Sequence, residues 1–413
     1  MDTISNQDTL TEKLQNPFPG LRPFHPNEAH LFFGREGQSE EILENLAKNR
    51  FAAVLGASGS GKSSLIYCGL LPTLYGGFLH NGRSKWRIAI SRPGSDPTAN
   101  LARSIAKAFK EGSQKDDFEA DTFINQAVLR RSSSGISNVI NQYKLGKDEN
   151  FLILVDQFEE LFRYQYSGKD SDALDKVDHF INLLVNIVKQ QELPVYLVIT
   201  MRSDFIGDCS PFQQFTRLIN DSHYLIPRMT REDFRKAITG PVSVGGGEIS
   251  DQLVQLLLNE MGNNPDHLPI LQHALMRTWE HWVNHSDRSF PMGITEYEAI
   301  GRLERALSNH ANDAFYELNV EQKRTCEVVF KSLTEKGADN RGIRRPTTAK
   351  ELAAIAETTV GEVIRVVEVF RMKGRTFLTP SPEVELNENS VVDISHESLM
   401  RVWDKLKIWV DEE

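Results

Sequence analysis

Eight residues limit what this chain can fold into more than any other feature. Gly56-Ala57-Ser58-Gly59-Ser60-Gly61-Lys62-Ser63 fit the pattern G-x-x-x-x-G-K-[ST], between an apolar run at 51–55 and a helix predicted to begin near Ser64. Strand, glycine-rich turn and helix in that order form a phosphate cradle. The glycines let consecutive backbone N–H groups turn inward, and the helix N-terminus adds its partial positive charge. Gly56, Ser58, Gly59, Ser60, Gly61, Lys62, Ser63 and Ser64 are therefore candidate contacts to a nucleotide's phosphates. Lys62 is the residue to reach the β- and γ-phosphates, and the Ser63 hydroxyl is a ligand for Mg²⁺.

A second motif supports the first. The apolar run 151–155 delivers Asp156 at its carboxyl end, followed by Gln157-Phe158-Glu159-Glu160. An acid in that place is the second Mg²⁺ ligand of a P-loop enzyme. Hydrolysis also needs a carboxylate that orients and deprotonates water, and Glu159 is the candidate, with Glu160 behind it. The alternative for the pair is a helix N-terminus that accepts negative charge. The run 195–200 ends in Thr200-Met201-Arg202 at the same kind of edge, which makes Thr200 and Arg202 candidates for sensing the γ-phosphate. A surface ion pair is the alternative for Arg202. In Phe32-Phe33-Gly34-Arg35-Glu36, Gly34 and Arg35 are placed to approach a base, or else to make a turn.

Five β-rich runs, at 51–55, 86–90, 151–155, 195–200 and 224–226, alternate with helical stretches. That rhythm predicts an α/β fold, a P-loop NTPase parallel sheet with helices on both faces. The strand signal then stops. Helix openings follow at 230–233, at Ser250 before 251–261, and at Thr295 before 296–307, which predicts an all-α domain. Helices at 322–336, 349–356 and 361–373 and a hairpin of 376–379 with 391–394 predict a winged-helix domain. At roughly 150 residues per domain, 413 residues accommodate two or three. The predicted division is a lead-in at 1–30, a P-loop domain at 31–229, a helical domain at 230–319 and a winged helix at 320–413.

Charge and cysteine content exclude several classes. With 47 basic and 57 acidic residues the net charge is −10, which argues against coating nucleic acid or anionic lipid over the whole surface. Cys68, Cys209 and Cys326 show no CxxC or Cys/His spacing, so no zinc site or disulfide framework is expected. A reducing, cytoplasmic setting follows. The polar residues 1–13 carry no secretory signal, and the uncharged stretch 63–82 is broken by Gly69, Pro72, Gly76 and Gly77, so no membrane span is expected.

Taken together, these elements resemble the STAND class of P-loop NTPases, and within it the bacterial novel STAND group related to NACHT and apoptotic ATPases. The resemblance runs from Asn16 to Glu413. Residues 19–24 with 32–36 resemble that group's opening, 155–160 its Walker B motif and 200–202 its first sensor. It adds two positions. Pro269, in His267-Leu-Pro-Ile-Leu-Gln272, is similar to a proline that packs on adenine, with His267 at the place of the family's glycine. His396, in Asp393-Ile-Ser-His-Glu397, is similar to a histidine that holds the β-phosphate of ADP in the closed form. From the residues alone, Pro269 starts or kinks a helix and His396 is a core or cap histidine.

The resemblance implies a switch. ADP locks the closed form, exchange for ATP opens it and permits self-association, and slow hydrolysis with Mg²⁺ resets it, in defence or stress signalling. ATP is favoured over GTP by the resemblance and by the lack of an [NT]-K-x-D guanine motif. The resemblance also implies that effector and sensor parts lie outside these residues, in a longer chain or in partner chains. A rival reading is an AAA+ loader-like ATPase that uses its winged helix on DNA. Arg341, Arg344, Arg345, Arg371, Lys373 and Arg375 support it, whereas the mixed charges of Glu362, Arg365, Glu368 and Arg371 fit solvent better than phosphate. A third reading, a scaffold that binds nucleotide without turnover, is opposed by the intact Lys62, Ser63, Asp156 and Glu159.

Overall fold

Strands apolar at nearly every position must be buried on both faces; three such runs, at 51–56, 151–155 and 195–201, are flanked by two more exposed edge strands, and the five pair as one sheet. In the computed structural model, which describes residues 14–77, 83–110, 118–162, 172–261, 267–336 and 342–412, they are β1 (Phe51–Gly56), β2 (Lys85–Ser91), β3 (Glu149–Val155), β4 (Val195–Arg202) and β5 (His223–Leu225). All pair in parallel, in the order β2-β3-β4-β1-β5. Alternate residues enter opposite cores. Phe51, Ala53, Leu55, Ile153 and Ile199 pack on one face, where helix Asp172–Lys189 contributes Phe180 and Leu184. Ala52, Val54, Leu152, Leu154 and Val198 pack on the other, where helix Gln38–Asn49 contributes Ile42 and Leu46. Helices therefore cover both faces, as the alternation predicts.

The strand order determines what meets at the carboxyl edge. Because β4 lies between β1 and β3, with Val54 opposite Thr200 and Val155 opposite Ile199, the ends of these three strands stand side by side. The P-loop leaves β1, Thr200 lies near the end of β4, and Asp156 follows β3.

The chain forms two compact units, Pro23–Thr230 around this sheet, and Arg231–Glu413 together with the leader up to Arg22. The lead-in is divided accordingly: Phe18 and Leu21 enter cores of the second unit, while the Phe24 ring packs edge-on against Phe32 in the first.

In the second unit, helices Arg231–Val244, Asp251–Glu260, His267–His285, Ile294–Ala299 and Arg302–Tyr316 surround Leu253, Leu257, Leu271, Trp279 and Trp282. The helix expected at 296–307 is two helices. Gly301 breaks it at φ +91°, where a Cβ would come within 2.5 Å of Asn309 Nδ2. The first of the pair starts at Ile294 rather than after Thr295, because the Gly293 amide donates to Glu296 Oε2 at 2.8 Å. Periodicity reads through the break because Tyr297, Ile300, Leu303 and Ala306 all enter one core.

A second correction concerns 322–336. The helix is Val320–Ser332, opened by reciprocal Asn319 and Gln322 hydrogen bonds, and its expected last turn is a strand. β6 (Thr334–Lys336) pairs antiparallel with β7 (Gly342–Arg344). Strand preference depends on the partner, and β7 is not visible from Thr334-Glu335-Lys336 alone. The expected hairpin of β9 (Leu378–Thr379) and β10 (Val391–Ile394) is present and gains β8 (Thr347–Thr348) on the other side of β10. Helices Ala349–Ile355 and Val360–Arg371 begin at Thr348 and Thr359, whose side chains cap them. Two further helices, Glu397–Val402 and Asp404–Asp411, were not expected. They bring Trp403 onto Phe330 and Phe370 and its indole N–H to Asn312 Oδ1 at 2.9 Å.

Arg371 ties this part of the fold together. Only 2% exposed, it pairs with Glu368 and donates to the carbonyls of Pro380, Ser381 and Val384. Arg371→Ala leaves three carbonyls without their donor, and a loss of about 3–4 kcal/mol in unfolding by denaturant is expected. A loss under about 1 kcal/mol contradicts this role.

Candidate functional site

The P-loop has the backbone that its glycines allow. Gly59 and Gly61 adopt φ of +72° and +87°, and the helix resumes at Lys62–Ser64. Lys62 Nζ donates to the carbonyls of Gly56 at 3.0 Å and Ala57 at 2.8 Å, so its ammonium lies across the loop. Burial holds Lys62 below the usual lysine value; Glu159 opposes that shift and Arg202 adds to it. Ser58 sits half-buried in the turn, and Ser60 Oγ is buried without a hydrogen-bond partner. The Ser64 hydroxyl accepts from the Phe24 amide at 3.2 Å.

Asp156 is fully buried, and its two oxygens are divided between two sets of donors. Oδ1 accepts from Ser63 Oγ and from Thr200 Oγ1, each at 2.7 Å. Oδ2 accepts from Tyr67 OH at 3.2 Å and from Arg92 Nε and Nη2 at 3.3 and 3.2 Å. Burial alone raises a carboxyl's pKa; here Arg92 and the hydroxyls of Thr200, Ser63 and Tyr67 outweigh it and hold Asp156 below the ordinary value. The charge is retained.

Thr200 also organises the turn after Asp156. Its hydroxyl accepts from the Gln157 amide at 2.9 Å and its carbonyl from the Phe158 amide at 2.8 Å. Gln157 stands at φ +57°, a strained backbone held by those bonds. The turn delivers Glu159, 4% exposed, whose Oε2 accepts from the Arg202 amide at 3.2 Å. Glu160 accepts from the Gly94 amide at 3.2 Å. The Arg202 guanidinium grips Asp204, with Nε to Oδ1 at 3.0 Å and Nη2 to Oδ2 at 2.6 Å.

These residues fit a magnesium nucleotide. Ser63 and Asp156 bring hard oxygen donors within 2.7 Å of each other, and the P-loop leaves β1 at the same carboxyl edge. A family model described as novel STAND NTPase 1 matches residues 17–413.

The chain belongs to the novel STAND NTPase 1 family. No individual curated protein matches it. Among solved structures it is similar to Cdc6p from Pyrobaculum aerophilum, at 13% identity and TM-score 0.38, covering 92% of this chain and 94% of that one. It is also similar to the ORC1 protein of Aeropyrum pernix in complex with DNA, at 15% identity and TM-score 0.47, with 92% and 93% covered. A third is the Drosophila ORC bound to DNA, at 12% identity and TM-score 0.43, with 97% and 94% covered.

In this STAND NTPase, Arg35 lies behind the P-loop. Its guanidinium donates to the carbonyls of Ser60 at 2.9 Å and Pro227 at 2.7 Å, bracing the loop against the chain after β5. Gly34 lies beside it, its amide on Glu36 Oε1 at 2.9 Å. Pro269 is the third residue of helix His267–His285, where a missing N–H costs nothing. His396 caps helix Glu397–Val402: Nδ1 accepts from the Ser398 amide at 3.1 Å, which puts the proton on Nε2. Both belong to the second unit.

Tyr67 and Arg92 were missed from sequence. Arg92 had a signal, since it follows β2 at the same carboxyl edge that singled out Arg202. Tyr67 had none. It lies in a π-helical stretch, Leu65–Leu70, whose register differs from that of an α-helix.

Several basic residues of the DNA reading have internal partners. Arg344 pairs with Asp393 at 2.9 Å, Arg371 is buried, and Arg375 pairs with Glu317. Arg365 pairs with Glu362 at 2.8 Å, and Arg345 stands 3.9 Å from Glu351. Arg341 lies outside the described residues. No helix among them is long and apolar enough to cross a membrane, and no group of three or more metal-ligating side chains occurs among them.

Proposed function

We propose that this STAND NTPase binds ATP with Mg²⁺, hydrolyses it slowly to ADP and phosphate, and uses the difference between the two nucleotides as a conformational switch. The observation that carries the reading is the convergence of Ser63 and Thr200 on one oxygen of buried Asp156, at 2.7 Å each. It joins the P-loop to the end of β3 through β4, the arrangement a P-loop enzyme needs to place a metal beside the phosphates.

The chain's own residues divide the work. Backbone N–H groups of the P-loop and Lys62 bind the phosphates. Mg²⁺, held through Ser63 and Asp156, supplies charge neutralisation when bound. Glu159 takes a proton from water as the water oxygen bonds to the γ-phosphorus and the bond to the β-γ bridging oxygen breaks, leaving ADP with the bridging oxygen. Its carboxylate is oriented for this by the Arg202 amide. The Arg202 side chain, paired with Asp204, is a candidate sensor once that pair opens.

A switch requires ATP and ADP to bind its two forms with different affinities. The family resemblance assigns that discrimination to His396, as holder of the β-phosphate of ADP in the closed form, and gives Pro269 the adenine that both nucleotides share; the Nε2–H of His396 has the donor polarity suited to phosphate. Self-association in the ATP form, partner chains that supply input and output, a role in defence or stress signalling and a cytoplasmic setting belong to the same proposal. The three cysteines, all buried free thiols, support a reducing compartment. The test is to identify the nucleotide that copurifies and to measure mass in solution with ADP and with a non-hydrolysable ATP analogue. Adenine nucleotide and a larger mass with the analogue are expected. A non-adenine nucleotide overturns the base assignment, and equal masses overturn assembly.

A further inference from the structure

Asp156 already carries a cation. Arg92 places Nε and Nη2 at 3.3 and 3.2 Å from Oδ2, so the carboxylate that the nucleotide site offers to a metal is neutralised by a guanidinium of the same chain. The remaining oxygen is engaged by two hydroxyls. A divalent ion arriving at Ser63 and Asp156 therefore meets a paired acid rather than an open one, with a like charge close by.

The anchoring of Arg92 suits a side chain that moves while its backbone stays. Asn100 Nδ2 bonds the carbonyls of Arg92 at 3.2 Å and Pro93 at 2.9 Å, holding the chain after β2. The side chain itself is 44% exposed, in contrast to Asp156 at 0%, so it can leave through solvent without unpacking a core. A second acid is anchored close by in the chain: Glu160 accepts from the Gly94 amide, two residues after Arg92, at 3.2 Å. Tyr67 reaches the same Oδ2 without charge, which separates hydrogen bonding from charge at one atom.

We propose that Arg92 is a built-in competitor of the divalent cation for Asp156, so that the chain holds nucleotide in a metal-independent mode and admits Mg²⁺ only as the guanidinium moves aside. The proposal rests on the nucleotide-site reading above. Arg92 gates the metal through Asp156 and has no assigned contact with the reacting atoms.

The test uses the full chain and a fluorescent ATP analogue, first in EDTA and then with MgCl₂ titrated in, and the readout is the Mg²⁺ concentration at half-saturation. Arg92→Gln is expected to lower that concentration by about tenfold, since it removes a unit charge from beside a divalent ion. Arg92→Lys keeps the charge and is expected to stay within about threefold of the parent chain. Tyr67→Phe removes only a neutral donor and is expected to do the same. An unchanged or raised half-saturation point in Arg92→Gln overturns the proposal, because a residue that merely steadies Asp156 weakens metal binding when lost. A Tyr67→Phe shift as large and in the same direction also overturns it. Nucleotide binding in EDTA by the parent chain keeps the site reading intact in either case; no binding under any condition overturns both.

Discussion

Lys62→Ala will weaken ATP binding by more than about 100-fold in a titration with a fluorescent analogue. The ammonium lies 3.0 and 2.8 Å from the Gly56 and Ala57 carbonyls, at the mouth of a loop whose other donors are neutral amides. A charged hydrogen bond to phosphate contributes about 1.5–3 kcal/mol, and a lysine that reaches two phosphates makes two. About 3–4 kcal/mol, or two to three powers of ten, is thus removed at one position. Because Lys62 is half-buried and its ammonium bonds only two loop carbonyls, global stability measured by denaturant is expected to change by less than about 1 kcal/mol. An unchanged ATP affinity removes the phosphate site from this loop.

Glu159→Gln will cut turnover by about 10²–10⁴-fold while leaving ATP affinity within about threefold. The amide oxygen of glutamine can still accept from the Arg202 N–H, so the turn after Asp156 keeps its geometry, and only the ability to take a proton is lost. Single-turnover phosphate release checks the chemistry, and equilibrium titration checks the binding. Turnover at the level of the parent chain transfers the base role to Glu160, whose carboxylate now accepts from the Gly94 amide. The two variants separate binding from chemistry at one site. Lys62→Ala acts before the reaction, and Glu159→Gln acts within it.

The parts of the site that were legible in sequence are those whose signal is local. The P-loop is eight consecutive residues, and Asp156 is the first polar residue after a buried strand; neither needs a distant partner to be recognised. Arg35 was legible as a conspicuous residue, but its actual place behind Ser60 depends on the chain returning at Pro227, 192 residues later. Thr200 stands out in sequence by its strand end, and in the fold its hydroxyl donates to Asp156 and accepts from the Gln157 amide, across a strand pairing. The basic residues near the last hairpin appeared as a patch in linear order. Folding turns Arg371 inward and pairs Arg344 with Asp393, which is 49 residues away.

What the sequence determined by itself was the periodic and the contiguous: five apolar runs long enough to be strands, the loop that must follow the first of them, and the acid that must follow the third. Hydrophobic alternation and the steric freedom of glycine act over a few residues, so a few residues suffice to show them. Only the tertiary structure decided which carboxyl edges stand together and what each charge faces. The order β2-β3-β4-β1-β5 brings Ser63, Arg92, Asp156 and Thr200 to one place from four separate segments. A buried carboxylate is stabilised by whichever donors the fold delivers to it, and the retained charge of Asp156 follows from those donors.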